Sequence, residues 1–277
     1  MALLVFDNVS FSYPGSSTPA LRGVSLQLQA GEYLAVLGAN GSGKSTLALH
    51  MNGLLRPGEG SVTLQLPGGE LLDSRRREQL PQLRRACCMV FQDPDEQTVA
   101  ATVEEDVAFG PENLGLPREE LRRRVGRALE RVGLAGREEQ LVASLSRGQR
   151  QRVAVAGALA MEPAVLVCDE PTAMLDAQGS RAVMEVLAEV NRAGCAVVLI
   201  THSMEAALHA QRIIVMEEGN IALDGTPREV FTAQHARELR DAGLELPPAA
   251  AYALDCGWGD PLPLTIGELA ERLGSIS

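Results

Sequence analysis

Positive charge is in short supply in this chain of 277 residues, which carries a formal net charge of −11. An acidic protein has no general electrostatic pull toward nucleic acid or anionic lipid, so no nucleic-acid partner is expected, and any anionic surface would have to be met locally. Cysteine is sparse as well. Cys87, Cys88, Cys168, Cys195 and Cys256 are odd in number and lack zinc-like spacing, which argues against a metal knuckle and a disulfide framework. The adjacent pair Cys87-Cys88 reads as strand filler in a reduced, cytosolic chain. No long apolar run exists either: AVLVC (164–168) and CAVVLI (195–200) fall far short of the roughly 18 residues of a membrane-spanning helix. The opening MALLVFDNVSFSYPG alternates apolar and polar and carries Asp7, which suits a strand and not a secretory signal. There is no internal repeat of fixed period and no low-complexity tract. The length suits one large domain of about 100–200 residues or somewhat more, with a smaller appendage.

What is present is a mixed α/β pattern. Residues 4–13, 24–29 and 61–66 alternate with period two, with Val24, Leu26 and Leu28 on one face and Val62, Leu64 and Leu66 on another, as half-buried strands of an antiparallel layer do. By contrast YLAVLG (33–38), CCMVFQ (87–92), VLVCDE (165–170) and AVVLITH (196–202) are nearly continuous apolar runs ending in polar residues or glycine. Parallel strands covered on both faces look like this, with chemistry at their carboxyl ends. Between Asp93 and Pro163 the pattern turns helical: Thr102 and Glu105 have capping-box spacing, and Leu121, Val125, Leu129 and Val132 recur at helical intervals. After Thr201 come a helix, the strand RIIVMEEG (212–219), and a helix opened by a capping box from Thr226 to Glu229. Beyond about residue 240 the composition shifts to Pro, Ala and Gly, and TIGE (265–268) opens a final short helix.

The chemistry begins at Gly38-Ala39-Asn40-Gly41-Ser42-Gly43-Lys44-Ser45, placed between an apolar strand and a helical stretch. Glycines at 38, 41 and 43 let the backbone curl until successive N–H groups face phosphate oxygens, and the helix opening near Lys44 adds the positive end of its dipole. Lys44 would reach the β/γ-phosphates and the Ser45 hydroxyl would hold Mg²⁺. A chance glycine-rich loop is disfavoured by the strand-loop-helix setting. In AVLVCDE (164–170) a strand ends in two carboxylates: Asp169 can hold Mg²⁺ through water, and Glu170 can polarise an attacking water. Without the phosphate loop, a solvated strand end would explain the same pair.

About a hundred residues after Lys44, LSRGQRQRVAVAGALA (145–160) offers Ser146 as an N-cap, then Gly148 and a helix with small residues on one face. This segment resembles the signature motif of ABC ATPases, and Gln92, Asp176 in TAMLD, and His202 at the end of AVVLITH fit the same family in the same order. The resemblance spans at least residues 3–233. It implies that two ATPase subunits close over shared ATP, so that Ser146, Arg147, Gly148 and Gln149 act on the ATP of a partner. It also implies that His202 contacts the γ-phosphate, Asp176 connects the two sites, and Gln92 senses Mg²⁺ and the γ-phosphate. The ATP contacts it implies on this chain are Tyr13 and residues 38–46, including Thr46, together with Gln92; catalysis falls to Glu170, His202 and Lys44, and the metal to Ser45, Gln92 and Asp169. Tyr13, closing the first strand, would stack on the base, an interaction worth on the order of 1–3 kcal/mol; an aromatic packed under a turn is the plainer alternative. The signature usually has two glycines, and Arg147 stands at the first of them.

Within this family VFQDPDEQTVAATVEEDVAFGPENLGLP (90–117) resembles the energy-coupling factor ATPases of vitamin and cobalt or nickel uptake, as do NGLLRPGEG, DEPTAMLD, ITHSMEAA and DGTPREVF. The resemblance implies a P-loop NTPase fold of the ABC nucleotide-binding type, with an antiparallel β subdomain, a helical insert at about 93–163 within an ATPase domain at 1–240, and a small lobe at 241–277 that contributes to dimer contacts. It implies ATP and Mg²⁺ as cofactors, and a second ATPase subunit, alike or related, as partner. A transmembrane coupling subunit that meets the acidic loop Asp93 to Gln97, and a separate membrane component that binds the substrate, complete the assembly on the cytoplasmic face of the membrane. The competing reading is a non-transport, soluble ABC ATPase of cofactor assembly or regulation.

Overall fold

The computed structural model describes residues 2–66 and 68–275, so the outer limits of the two expected units, residues 1 and 277, lie outside the described residues. Ten strands are present among those residues: β1 (Ala2–Phe11), β2 (Leu21–Gln29), β3 (Tyr33–Gly38), β4 (Glu59–Gln65), β5 (Leu71–Asp73), β6 (Cys87–Val90), β7 (Val165–Asp169), β8 (Ala196–Ile200), β9 (Arg212–Glu217) and β10 (Asn220–Gly225). They form an antiparallel sheet in the order β2-β1-β4-β5 and a six-stranded sheet in the order β10-β9-β3-β8-β7-β6. In the second sheet every pairing is parallel except β9 with β10.

The two patterns of hydrophobicity account for the two sheets. In the first, Phe6 stands opposite Leu26 on one side and Val62 on the other, so the apolar set of each strand shares one face. In the second, both faces are covered, and β3 is buried along its whole length. Leu34 and Val36 pack with Phe6, Leu28, Leu47 and Met51 under the antiparallel sheet. Tyr33, Ala35 and Leu37 point the other way, into a cluster with Leu129, Val153 and Leu187.

Among the described residues eleven helices are present, seven of them between strands and four after β10: α1 (Lys44–Met51), α2 (Leu80–Ala86), α3 (Val103–Glu112), α4 (Arg118–Arg131), α5 (Arg147–Ala160), α6 (Ala177–Arg192) and α7 (Met204–Ala207), then α8 (Pro227–Val230), α9 (Ala236–Asp241), α10 (Pro248–Asp255) and α11 (Ile266–Gly274). The capping boxes read from the sequence at Thr102–Glu105 and Thr226–Glu229 open α3 and α8. No helix among the described residues is long and apolar enough to cross a membrane. Leu244, Leu246, Ala250, Ala253, Leu262 and Leu264 belong to the same hydrophobic cluster as Phe231 and the central sheet, so residues beyond 240 are packed onto the body.

Several strand ends differ from the expected limits, and at three of them the local reason is plain. β1 stops at Phe11, whose carbonyl takes the last cross-strand bond from Ala20, and Tyr13 instead opens a turn closed by Ser16 N–H on its carbonyl. β6 stops at Val90 because Phe91 N–H donates to the Gln97 side chain and leaves the ladder. β9 stops at Glu217, where Glu218 and Gly219 take positive φ of 46° and 83° and reverse the chain into β10.

Candidate active site

The loop between β3 and α1 is held in a shape that excludes larger residues at two positions. Gly38 has φ 149°, and a Cβ there would lie 2.4 Å from the Met216 carbonyl oxygen. Gly43 has φ 106°, and a Cβ there would lie 2.5 Å from the Ala20 carbonyl oxygen. The loop is thus fastened to the β9–β10 turn and to the start of β2, and Gly219 N–H also donates to the Ser42 carbonyl. Lys44, the sole lysine in the chain, is only 6% exposed and folds back so that Nζ donates to the carbonyls of Gly38 and Ala39, both at 2.8 Å. Burial pushes its amine below the usual range, against the opposing pull of Glu170 and Asp169. The Ser42 hydroxyl is shielded from solvent without a hydrogen-bond partner.

The acids enter from the carboxyl end of β7. Burial raises the Asp169 carboxyl, opposed by a hydrogen bond with Ser45 and by the Lys44 charge. Glu170 leaves the strand with φ 50°, a strained backbone for a non-glycine residue, as its N–H donates to the Ile200 carbonyl. Burial pushes its carboxyl up to about 7, with a backbone hydrogen bond from His202 and the Lys44 charge acting the other way. His202 follows β8, and its Nε2 lies 3.1 Å from Glu170 Oε1. That oxygen nevertheless lacks an aligned donor, so the pair is close without a formed hydrogen bond. Burial and Lys44 hold the imidazole below its ordinary range, which keeps it neutral near pH 7.

The carboxyl ends of β3, β6, β7 and β8 therefore converge, with Tyr13 added from the turn after β1. Tyr13, Lys44, Ser45, Gln92, Asp169, Glu170 and His202 line one open cleft of about 1520 Å³, together with Asn40, Gly41, Gly43 and Thr46. Tyr13 is 42% exposed, its hydroxyl lies 3.2 Å from Thr46 Oγ1, and its ring meets Phe11 edge-on with centroids 5.0 Å apart. A turn-packed aromatic and a cleft-lining one are thus the same residue. The far wall, which sequence reading missed, comes from Ser180, Arg181 and Met184 of α6 and from His209. The signal was available: Val183, Val186, Leu187 and Val190 form the buried stripe of an amphipathic helix.

Ser146, Arg147, Gly148, Gln149 and Asp176 do not line this cleft. Ser146 caps α5 by a reciprocal box, accepting from Gln149 N–H at 3.3 Å while its own N–H donates to the Gln149 side chain at 2.9 Å. Asp176 caps α6 by accepting from Gly179 N–H at 2.6 Å. The start of α5 lies against that cap, because a Cβ on Gly148 would be 3.6 Å from Gly179 Cα. Arg147 turns toward its own chain, with Nη2 3.2 Å from Asp93 Oδ1.

The family model of the ABC transporter matches residues 21–173. An energy-coupling factor transporter ATP-binding protein of Symbiobacterium thermophilum is 50% identical over 98% of this chain and 96% of its own length. The chain belongs to the ABC transporter family, in its energy-coupling factor group. Another ATP-binding protein of this group, from Methanocaldococcus jannaschii, is 41% identical over 99% of the chain and 97% of its own length. Among solved ABC structures, cbiO1 from Clostridium perfringens, part of the ABC transporter complex cbiONQ, has a TM-score of 0.76 at 37% identity, covering 86% of this chain and 94% of its own. A dimeric ATP-binding cassette in a post-hydrolysis state, bound to ADP and phosphate, has a TM-score of 0.71 at 28% identity over 82% of this chain and 99% of its own. The mixed α/β architecture expected from the sequence is therefore that of an ABC ATPase cassette.

Proposed function

We propose that this chain is the ATP-hydrolysing motor of an energy-coupling factor importer for a vitamin or a transition-metal ion. The observation that carries this reading is the convergence of Lys44, Asp169, Glu170, His202 and Gln92 on one cleft. The cleft suits a polyphosphate: the backbone at Gly38 and Gly43 is too tight for any Cβ, the Ser42 hydroxyl lacks a partner, and an amine is held beside them. Ser45 and Asp169 already share a hydrogen bond, and with Gln92 they would hold Mg²⁺, which supplies charge neutralisation on the phosphate oxygens when bound. Tyr13 and residues 38–46 would hold ATP.

Glu170 then accepts a proton from water as the water oxygen bonds to the terminal phosphorus and the bond to the bridging oxygen breaks, releasing ADP and phosphate. Lys44 and the neutral N–H of His202 meet the charge on the terminal phosphate. Because Ser146 and Gly148, at the start of α5, lie outside the cleft of their own chain, they serve ATP held by a second ATPase subunit, with Asp176 linking the two sites. Residues 1–240, with their helical part at about 93–163, form the motor, and residues 241–277 a small lobe that stabilises the dimer. The motor sits peripherally on the cytoplasmic face, bound to a transmembrane coupling subunit, while a separate membrane component captures the substrate. The relatives found favour this reading over a soluble, non-transport ATPase.

Glu170→Gln tests the assignment. It should bind ATP like the parent, accumulate a closed dimer and turn over at least about 100-fold more slowly, since general-base assistance is typically worth about 10²–10⁴-fold. Unchanged phosphate release would remove Glu170 from the role of base.

A further inference from the structure

The residue that departs from the two-glycine signature points at the segment around Gln92. Three residues on one face of α5, at positions i, i+3 and i+4, each meet that segment. Arg147 Nη2 lies 3.2 Å from Asp93 Oδ1, Arg150 Nε lies 2.7 Å from Asp95 Oδ1, and Gln151 Nε2 donates to the Phe91 carbonyl at 3.4 Å. Gln151 is 1% exposed, and Arg147 Nη2 and Arg150 Nε are shut off from solvent, with the two carboxylates as their ion-pair partners. Both ion pairs are close without hydrogen-bond alignment. Gln92 itself lines the cleft, yet the residues before and after it are tied to α5. Arg147 is the first residue of that helix, so an arginine here requires no special backbone.

We infer that Arg147 is a positioning residue that clamps Asp93 in its own chain, so that the Gln92 segment and the signature helix turn as one body. Its guanidinium is thereby withdrawn from the partner's nucleotide, which is left to Ser146 and Gly148. Nucleotide sensed by Gln92 in one site is transmitted through Asp93 and Arg147 to the site that this chain completes for its partner. The clamp rests on the shared-site reading above, but its geometry lies within one chain.

The test uses the full chain and four variants: Arg147→Ala, Asp93→Ala, the double alanine variant, and the exchange Arg147→Asp with Asp93→Arg. ATP affinity of the isolated chain at low protein concentration should stay within about two-fold of the parent. The ATP concentration that half-saturates association, followed by sedimentation, should rise about 3- to 10-fold in each single variant, as expected for loss of a partly exposed ion pair on a coupling route. The double variant should be no worse than the worse single one, and the exchange should return the midpoint to within about two-fold. A shift in Arg147→Ala with none in Asp93→Ala would overturn the clamp and assign Arg147 to the partner's nucleotide. Additive losses, no loss, or an exchange without rescue would overturn it too. Should the parent fail to associate with ATP, the shared-site reading falls, and amide hydrogen exchange of 91–97 still decides: both single variants must lose protection equally, and unequal or unchanged protection rejects the clamp.

Discussion

His202 Nε2 stands 3.1 Å from Glu170 Oε1 at the mouth of a site where burial has already lifted the Glu170 carboxyl to about 7. A base must be ionised to accept a proton, so turnover should rise as pH increases from about 6 to about 8. A flat profile of kcat over that range would argue that Glu170 titrates elsewhere.

The same shift bears on stability. The folded carboxyl is raised above its unfolded value of 4.5, so its contribution is fully present below that pH and is lost as pH rises through about 7. Glu170→Gln removes the burden of the buried charge, and should melt higher than the parent at pH 8 but alike near pH 4.5. With partial solvent access discounted, the gain is on the order of 1–2 kcal/mol, or about 2–6 °C. Calorimetry at the two pH values checks it, and an advantage that is larger in acid would reverse the sign.

Gly43→Ala combines φ 106° with a backbone oxygen 2.5 Å from the new carbon. The strain should cost at least about 2 kcal/mol and abolish detectable ATP binding, because the loop must open to relieve it. Thermal melting and equilibrium nucleotide binding measure the two effects, and a variant that keeps both would disprove the tight cradle.

Tyr13 joins two contacts that substitution can separate. Tyr13→Phe removes only the hydroxyl near Thr46 and should change ATP affinity by no more than about two-fold. Tyr13→Ala removes the ring and should weaken it about 5- to 100-fold, if base stacking of about 1–3 kcal/mol is lost. Equal effects of the two variants would count against stacking.

Truncation after Asp241 would uncover Phe231 and Leu239, which are 1% and 0% exposed. The shortened chain should therefore melt more than about 5 °C lower, or aggregate, since each large apolar side chain gains about 1.5–3 kcal/mol from burial. An unchanged melting temperature would mark 242–277 as energetically independent.

How much of this was legible in the sequence depended on the range of each signal. Continuous runs such as YLAVLG announced strands covered on both faces, and Thr102–Glu105 announced its own helix, because each pattern is complete within a few residues. β5 and β10 were missed, the first for its three residues and the second because the RIIVMEEG run concealed a turn at Glu218–Gly219. α2 and α6 also went unread, although the stripe in α6 is plain once sought. Within the site, the residue types were readable but their convergence was not: β6, β7 and β8 bring Gln92, Glu170 and His202 together only through parallel pairing. Contacts between side chains distant in sequence leave no periodic trace, so the turn of Arg147 toward Asp93 could not be foreseen.

Lys44 is the only primary amine on any side chain of this protein, every other strong base being an arginine. A lysine-specific protease has one bond to cut, at the mouth of α1, and the 6% exposure of Lys44 keeps that bond out of reach while the loop is intact. Amine acylation meets the same single target beside the chain's own amino terminus. Reagents that elsewhere report on a whole surface would report here on the opening of one loop.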